Sequence, residues 1–288
     1  MTTPPPQPGS YGPVPSRSPW APAGGFPAPM SPVAVAPPAL PPELRGRGGG
    51  WAMLGVFAAA EVAFVLVSLL ALAPFAIVDP SILDGPLPGG PLLVALAVPT
   101  VLATLVALGG TRLFGGGPAA GRLRRELAVR WNWRDLGIGL ALGAGGLLLT
   151  IPASVAWSRW VGDDQANSAV GELFDGQPLF PVTAVAVFLV VWLLAPLCEE
   201  VLFRGVLWRA LEHWRWNRWL IFGVTTVAFA LLHFELLRTP LLVVISIPIG
   251  LARMITGNLL ASVVAHQANN FVPALGLLLI ALGAVPPG

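Results

Sequence analysis

Apolar and polar positions divide the chain near residue 51. Beyond it, apolar blocks alternate with polar or charged stretches. Blocks 51–78, 91–110, 136–158 and 181–208 are each long enough to cross ~30 Å of hydrocarbon at ~1.5 Å per helical residue. Four further blocks, 219–237, 240–255, 258–271 and 274–285, are shorter and carry His, Asn, Arg and Pro. The pattern predicts an all-α fold: a polytopic membrane helix bundle of seven or eight spans over residues 51–288, some of the shorter helices shielded by the others. Residues 1–50 show no such blocks. They hold 15 of the 31 prolines, with Gly, Ala and Ser, and too little apolar surface to offset ordering entropy. They are expected to form a disordered, Pro/Gly/Ala-rich cytoplasmic tail. No charged n-region or apolar h-region marks a signal peptide.

Composition narrows the function class. Of 288 residues, 55% are hydrophobic and 10% charged, with a mean hydropathy of +0.76; a soluble domain carries roughly 25% charged residues. The net charge is +2, and all 16 basic residues are Arg. A nucleic-acid partner, which needs a dense basic face, is excluded on that ground. The single cysteine excludes a disulfide framework or a CxxC metal site. Loops before 51, at 111–135 and at 210–218 are Arg-rich, whereas those at 79–90 and 159–180 are acidic. By the positive-inside rule the N-terminus is cytoplasmic. Nine of the 11 tryptophans fall near expected helix ends. Stretch 122–133 is expected along the membrane surface with its Arg facing headgroups. The Arg-only, Ala/Gly/Pro-rich composition predicts a multi-pass protein of a bacterial cell membrane, in contact with the lipid bilayer.

Ionisable groups inside spans need a reason. Glu199 and Glu200 follow eighteen uncharged residues from Pro181, and Arg204 comes four residues later. Glu200 and Arg204 share a helix face and form a structural pair. Glu199 points ~100° away and is left over for acid–base chemistry. Phe229 and His233 share one face of the next block, and His266 and Asn270 share a face of a later one. His213, in the Arg/Trp-rich loop, is expected to be solvated or interfacial. Buried separately, each polar group needs its own partner; clustered, they satisfy one another and hold a water. A carboxylate base beside a water, with imidazole and amide groups opposite, suits hydrolysis of an acyl bond. No GxSxG, HExxH or P-loop is present. Cys198 has no cationic environment to make it a nucleophile and reads as a small buried residue. Glu61, in the first span, has no role in this scheme.

Three motifs stand in order: Glu199-Glu200-Val201-Leu202-Phe203-Arg204, Phe229-Ala230-Leu231-Leu232-His233 and His266-Gln267-Ala268-Asn269-Asn270, the last preceded by Thr256-Gly257-Asn258-Leu259. Together they resemble the CPBP family of intramembrane endopeptidases, the CAAX-protease and bacteriocin-processing (Abi) group. The likeness covers about 181–271, the expected catalytic core. It implies Glu199 as the base that activates water, Glu200 with Arg204 as the charge-balanced structural pair, and His233, His266 and Asn270 as site residues that position water or stabilise the oxyanion. Phe229 would pack below His233. It leaves open whether Glu199, His233 and His266 hold a divalent metal such as zinc, as a metalloprotease would, or whether the glutamate-activated water acts alone; the metal-independent chemistry is the expected one. The implied substrate is a peptide or membrane-associated protein, not a prenylated CAAX protein. Because Glu199 lies nine residues before Trp208, roughly 13 Å along the helix, entry is expected from the Arg-rich side or laterally. Two other functions compete: a catalytically inactive membrane adaptor or bacteriocin-immunity protein of the same fold, and a transporter, which would need inverted repeats absent here.

Overall fold

The computed structural model describes residues 47–162 and 168–286, all within one compact unit, Pro37–Gly288. Among them there is no strand. Helix α1, Arg47–Leu70, runs on through a short turn of helix, Ala73–Val78. It is followed by α2 (Gly89–Phe114), α3 (Arg122–Glu126), α4 (Trp133–Val161), α5 (Ala169–Phe174), α6 (Pro181–His213), α7 (Arg218–Leu231), α8 (Thr239–Thr256) and α9 (Leu259–Ala281). Six of these are long and apolar enough to cross a membrane: α1 with its extension, α2, α4, α6, α8 and α9.

Seven or eight spans are expected, and the six helices that meet the length and apolarity of a span differ from that pattern in two places. Block 219–237 supplies only α7, whose 14 residues rise ~21 Å before the chain turns back at 232–238. Blocks 258–271 and 274–285 are one helix, because α9 continues through Pro273. A proline is tolerated inside a membrane helix where neighbours and local adjustments absorb the freed backbone groups. The boundary at residue 50 also shifts, since α1 already begins at Arg47; the rest of the Pro-rich tail lies outside the described residues.

Small residues bring α4 against α9. A Cβ added at Gly139 would sit 2.2 Å from the Ala261 carbonyl oxygen, and one at Gly143 would sit 2.2 Å from that of Ala265. One turn on, Gly146 faces Pro248 and Asn269. With no hydrophobic drive between helices in lipid, such close backbone approach is what holds them. It also fixes the rotation of α9, so that Ala261 and Ala265 face α4 while Ser262 and His266 turn toward α6.

Helix α6 carries two π-helical turns, Val190–Leu194 and Val201–Leu207, with Ala195–Glu200 between them. Pro196 lacks an N–H and would press on the carbonyl four residues back; the first π turn widens the backbone just before it. A π turn takes carbonyls out of the α-helical register, and in lipid these need other donors. Helix α9 supplies them. Gln267 Nε2 donates to Leu193 O at 3.1 Å, Asn270 Nδ2 to Val191 O at 3.4 Å, and Trp192 Nε1 donates back to Gln267 O at 3.0 Å. At the second turn, Arg253 Nε of α8 donates to Arg204 O at 3.0 Å.

The end of the bundle that carries the Arg-rich loops is more tightly built than the charge pattern implies. Glu126 is fully buried, with Arg209 Nε 2.8 Å and His213 Nε2 3.4 Å from its Oε2. His213 is therefore a core residue, 3% exposed, not a solvated one. Stretch 122–133 holds the short helix α3 and ends at Trp133, the first residue of α4. The guanidinium of Arg122 folds back onto the carbonyls of Arg112 and Gly117, and that of Arg125 onto Ala120 and Pro118. Asn258 caps α9 by accepting from Leu260 N at 3.1 Å, and its amide ties Arg130 O at 2.7 Å and Asp135 at 3.0 Å.

Candidate active site

The site is built where α6, α7 and α9 meet. Glu200 is fully buried and accepts from Arg204 Nη1 at 2.8 Å, one turn along α6; Arg204 Nη2 also donates to the Ser246 hydroxyl of α8. His266 Nδ1 lies 3.0 Å from the same Glu200 oxygen and donates to it, since a carboxylate only accepts. That bond sets the ring so that His266 Nε2 faces Glu199 Oε2 at 3.7 Å. Glu199 keeps a quarter of its side chain exposed, while Glu200 keeps none. The adjacent carboxyls are thus divided as their ~100° helical offset requires: Glu200 takes the cation, and Glu199 faces open space.

His233 lies two residues past the end of α7. Its Nδ1 stands 2.6 Å from the Phe229 carbonyl oxygen. A ring nitrogen at that distance from a carbonyl carries the hydrogen, so Nε2 keeps its lone pair as an acceptor. Phe229 is nearly fully buried and touches most of the set. Its ring centroid is 4.5 Å from that of His233 and 5.7 Å from that of His266, and the Arg204 guanidinium lies 4.7 Å above it.

A cavity of about 790 Å³ adjoins these groups, lined by Glu199, His233, His266, Asn269 and Asn270 among otherwise mostly apolar side chains. It runs away from the Arg-rich end: Val170 and Leu173 of α5, in the acidic 159–180 connection, line its far part. Sequence reading missed Asn269, whose buried amide lies 3.4 Å from both Gly143 O and Thr150 Oγ1, as well as Gln267, Ser246 and Arg253. A second Asn beside the motif position was the one signal available for Asn269; the others become visible only with the π turns. Cys198 is buried on α6.

Among the described residues no group of three or more His, Cys, Asp or Glu side chains is placed to hold a metal ion. Glu199, His233 and His266 are thus not placed as a ligand set, and no step below passes through a metal.

Residues 181–272, about a third of the chain, match the family model described as Type II CAAX prenyl endopeptidase Rce1-like. No curated protein and no solved structure matches the chain. The matched stretch runs from the start of α6 into α9 and contains all three motifs. It is an Rce1-like segment, consistent with the CPBP family, and at the family level it supports a CAAX-protease-like intramembrane peptide hydrolase embedded in a multi-pass helical chain.

Proposed function

We propose that this chain hydrolyses a peptide bond of a peptide or membrane-associated protein with a water activated by Glu199. The observation that carries the reading is the division of labour in the glutamate pair: Glu200 is spent on Arg204 and His266, while Glu199 lines the cavity with no arginine bound to it and only His266 Nε2 facing it, 3.7 Å away. In the reaction, Glu199 takes a proton from the water as its oxygen attacks the carbonyl carbon. The second water hydrogen is held by His233 Nε2, which accepts because its Nδ1 is occupied. The Asn270 amide, at the edge of the first π turn, donates to the oxygen that becomes negative. Glu199 then gives its proton to the departing nitrogen as the C–N bond breaks, leaving a carboxylic acid and an amine. His266, fixed by Glu200 through Nδ1, sets the wall of the cavity beside Glu199.

The test is Glu199→Gln in purified full-length protein with a peptide library as substrate. Cleavage falls by about 10²-fold or more, while the melting behaviour stays at the wild-type level. Retained cleavage overturns the assignment of the base.

A further inference from the structure

One carboxyl in the cavity wall has no task in this reaction. Glu61 is the one ionisable side chain of α1 besides Arg47 and lies well outside the Rce1-like segment. It lines the cavity with Phe64 and Ser68, three and seven residues on and so on the same helix face. Its Oε1 is buried and meets no hydrogen-bond donor among the described residues. The cations nearby are already committed: Arg204 to Glu200, and Arg238, which also lines the cavity, to Glu235. Glu61 therefore presents to the cavity a carboxyl oxygen with no donor among the described residues, in a wall that is otherwise mostly apolar. An acceptor left unmet in such a place is costly, and an occupant that carries a donor relieves it.

We infer that Glu61 is a specificity-determining residue that receives a cationic side chain of the substrate, a lysine ammonium or an arginine guanidinium, close to the scissile bond. The inference rests on the peptidase reading above. Glu61 and Glu199 line the same cavity, so the cation belongs on the stretch of substrate that flanks the bond cut. The same carboxyls repel an acidic residue there.

The test uses the full-length chain in detergent, with Glu199→Gln as a background that binds without cutting. Fluorescent apolar peptides differ only in one residue, Lys, norleucine or Glu, moved stepwise along the sequence. At one position Lys binds tighter than norleucine by roughly tenfold or more, and Glu binds weakest. Adding Glu61→Gln collapses the Lys-to-norleucine ratio toward one, Glu61→Asp preserves most of it, and Glu61→Lys turns the preference toward Glu. Equal affinity for the Lys and norleucine peptides at every position overturns the inference, as does a Lys preference that survives Glu61→Gln; in either case wild-type cleavage of the norleucine peptide leaves the peptidase reading standing. A wild-type chain that neither binds nor cuts any of the peptides overturns both.

Discussion

His266 directs its Nδ1 at the Oε1 of Glu200 from 3.0 Å, and this is the oxygen that Arg204 holds at 2.8 Å. One buried carboxylate therefore joins α6 to α9 and balances a fully buried guanidinium. The two glutamates should separate cleanly under mutation. Glu200→Ala leaves Arg204 uncompensated in the interior, which costs ~3–5 kcal/mol, and it frees the His266 ring. The expected outcome is a large drop in melting temperature together with lost cleavage, whereas Glu199→Gln loses cleavage alone. The one cysteine, Cys198, is buried, so a thiol-reactive dye reports the unfolding directly. Equal melting of the two variants would contradict this division.

The α4–α9 contact predicts a contrast between neighbouring glycines. A Cβ at Gly143 meets the Ala265 carbonyl oxygen at 2.2 Å, whereas one at Gly145 meets nothing within 4 Å. Gly143→Ala must push the helices apart, at ~1–3 kcal/mol, and it displaces the helix that carries His266. Gly145→Ala should leave melting and cleavage unchanged. Thermal melts and initial rates on the two variants decide it.

Glu126 provides a pH signature outside the spans. Burial alone would raise its carboxyl, but the His213 imidazole, the Arg209 guanidinium and the Gly116 N–H, at 2.7 Å, outweigh burial and hold it below its ordinary value of 4.5. A carboxyl lowered on folding adds stability that is complete above the unfolded value and is lost as pH falls through the folded one. The melting temperature of the wild type should therefore decline as pH drops below about 4.5. Glu126→Gln should melt lower at neutral pH and show a flatter decline. Parallel curves for the two proteins would remove Glu126 from the account.

Much of the site was legible because its chemistry is expressed at helical spacing. Glu200 with Arg204, Phe229 with His233, and His266 with Asn270 each sit one turn apart, and intramembrane polarity marked them against an apolar background. The geometry joining these pairs was not legible. Neither π turn leaves a pattern in the residues, so the roles of Gln267 and Arg253 as donors to displaced carbonyls could not be read. Helix boundaries were hardest to read where the helical period could not arbitrate: α7 is apolar but short, and Pro273 resembles a break although the helix passes through it. His213 and Glu126 lie 87 positions apart, so the pairing that buries both has no local trace.

Phe229 offers the most selective test of how the site is held. Its ring lies against His233, His266, Phe203 and the Arg204 guanidinium, so it supplies both bulk and a π face to a cation. Phe229→Ala empties a fully packed position, at ~3–5 kcal/mol, and is expected to fail as a stable protein. Phe229→Leu keeps most of the bulk and removes the face. The cation–π contact is worth ~2 kcal/mol when desolvated, so the melting temperature should fall modestly. The rate should fall further than stability does, because both imidazoles lose the surface that sets their tilt while Glu199 and its water remain. The informative comparison is kcat against KM: a positioning role for Phe229 predicts that kcat falls, by roughly tenfold, with KM little changed. A variant with wild-type kcat at reduced stability would make the ring a filler and place the ordering of His233 elsewhere, in its bond to the Phe229 carbonyl, which the backbone supplies whatever the side chain.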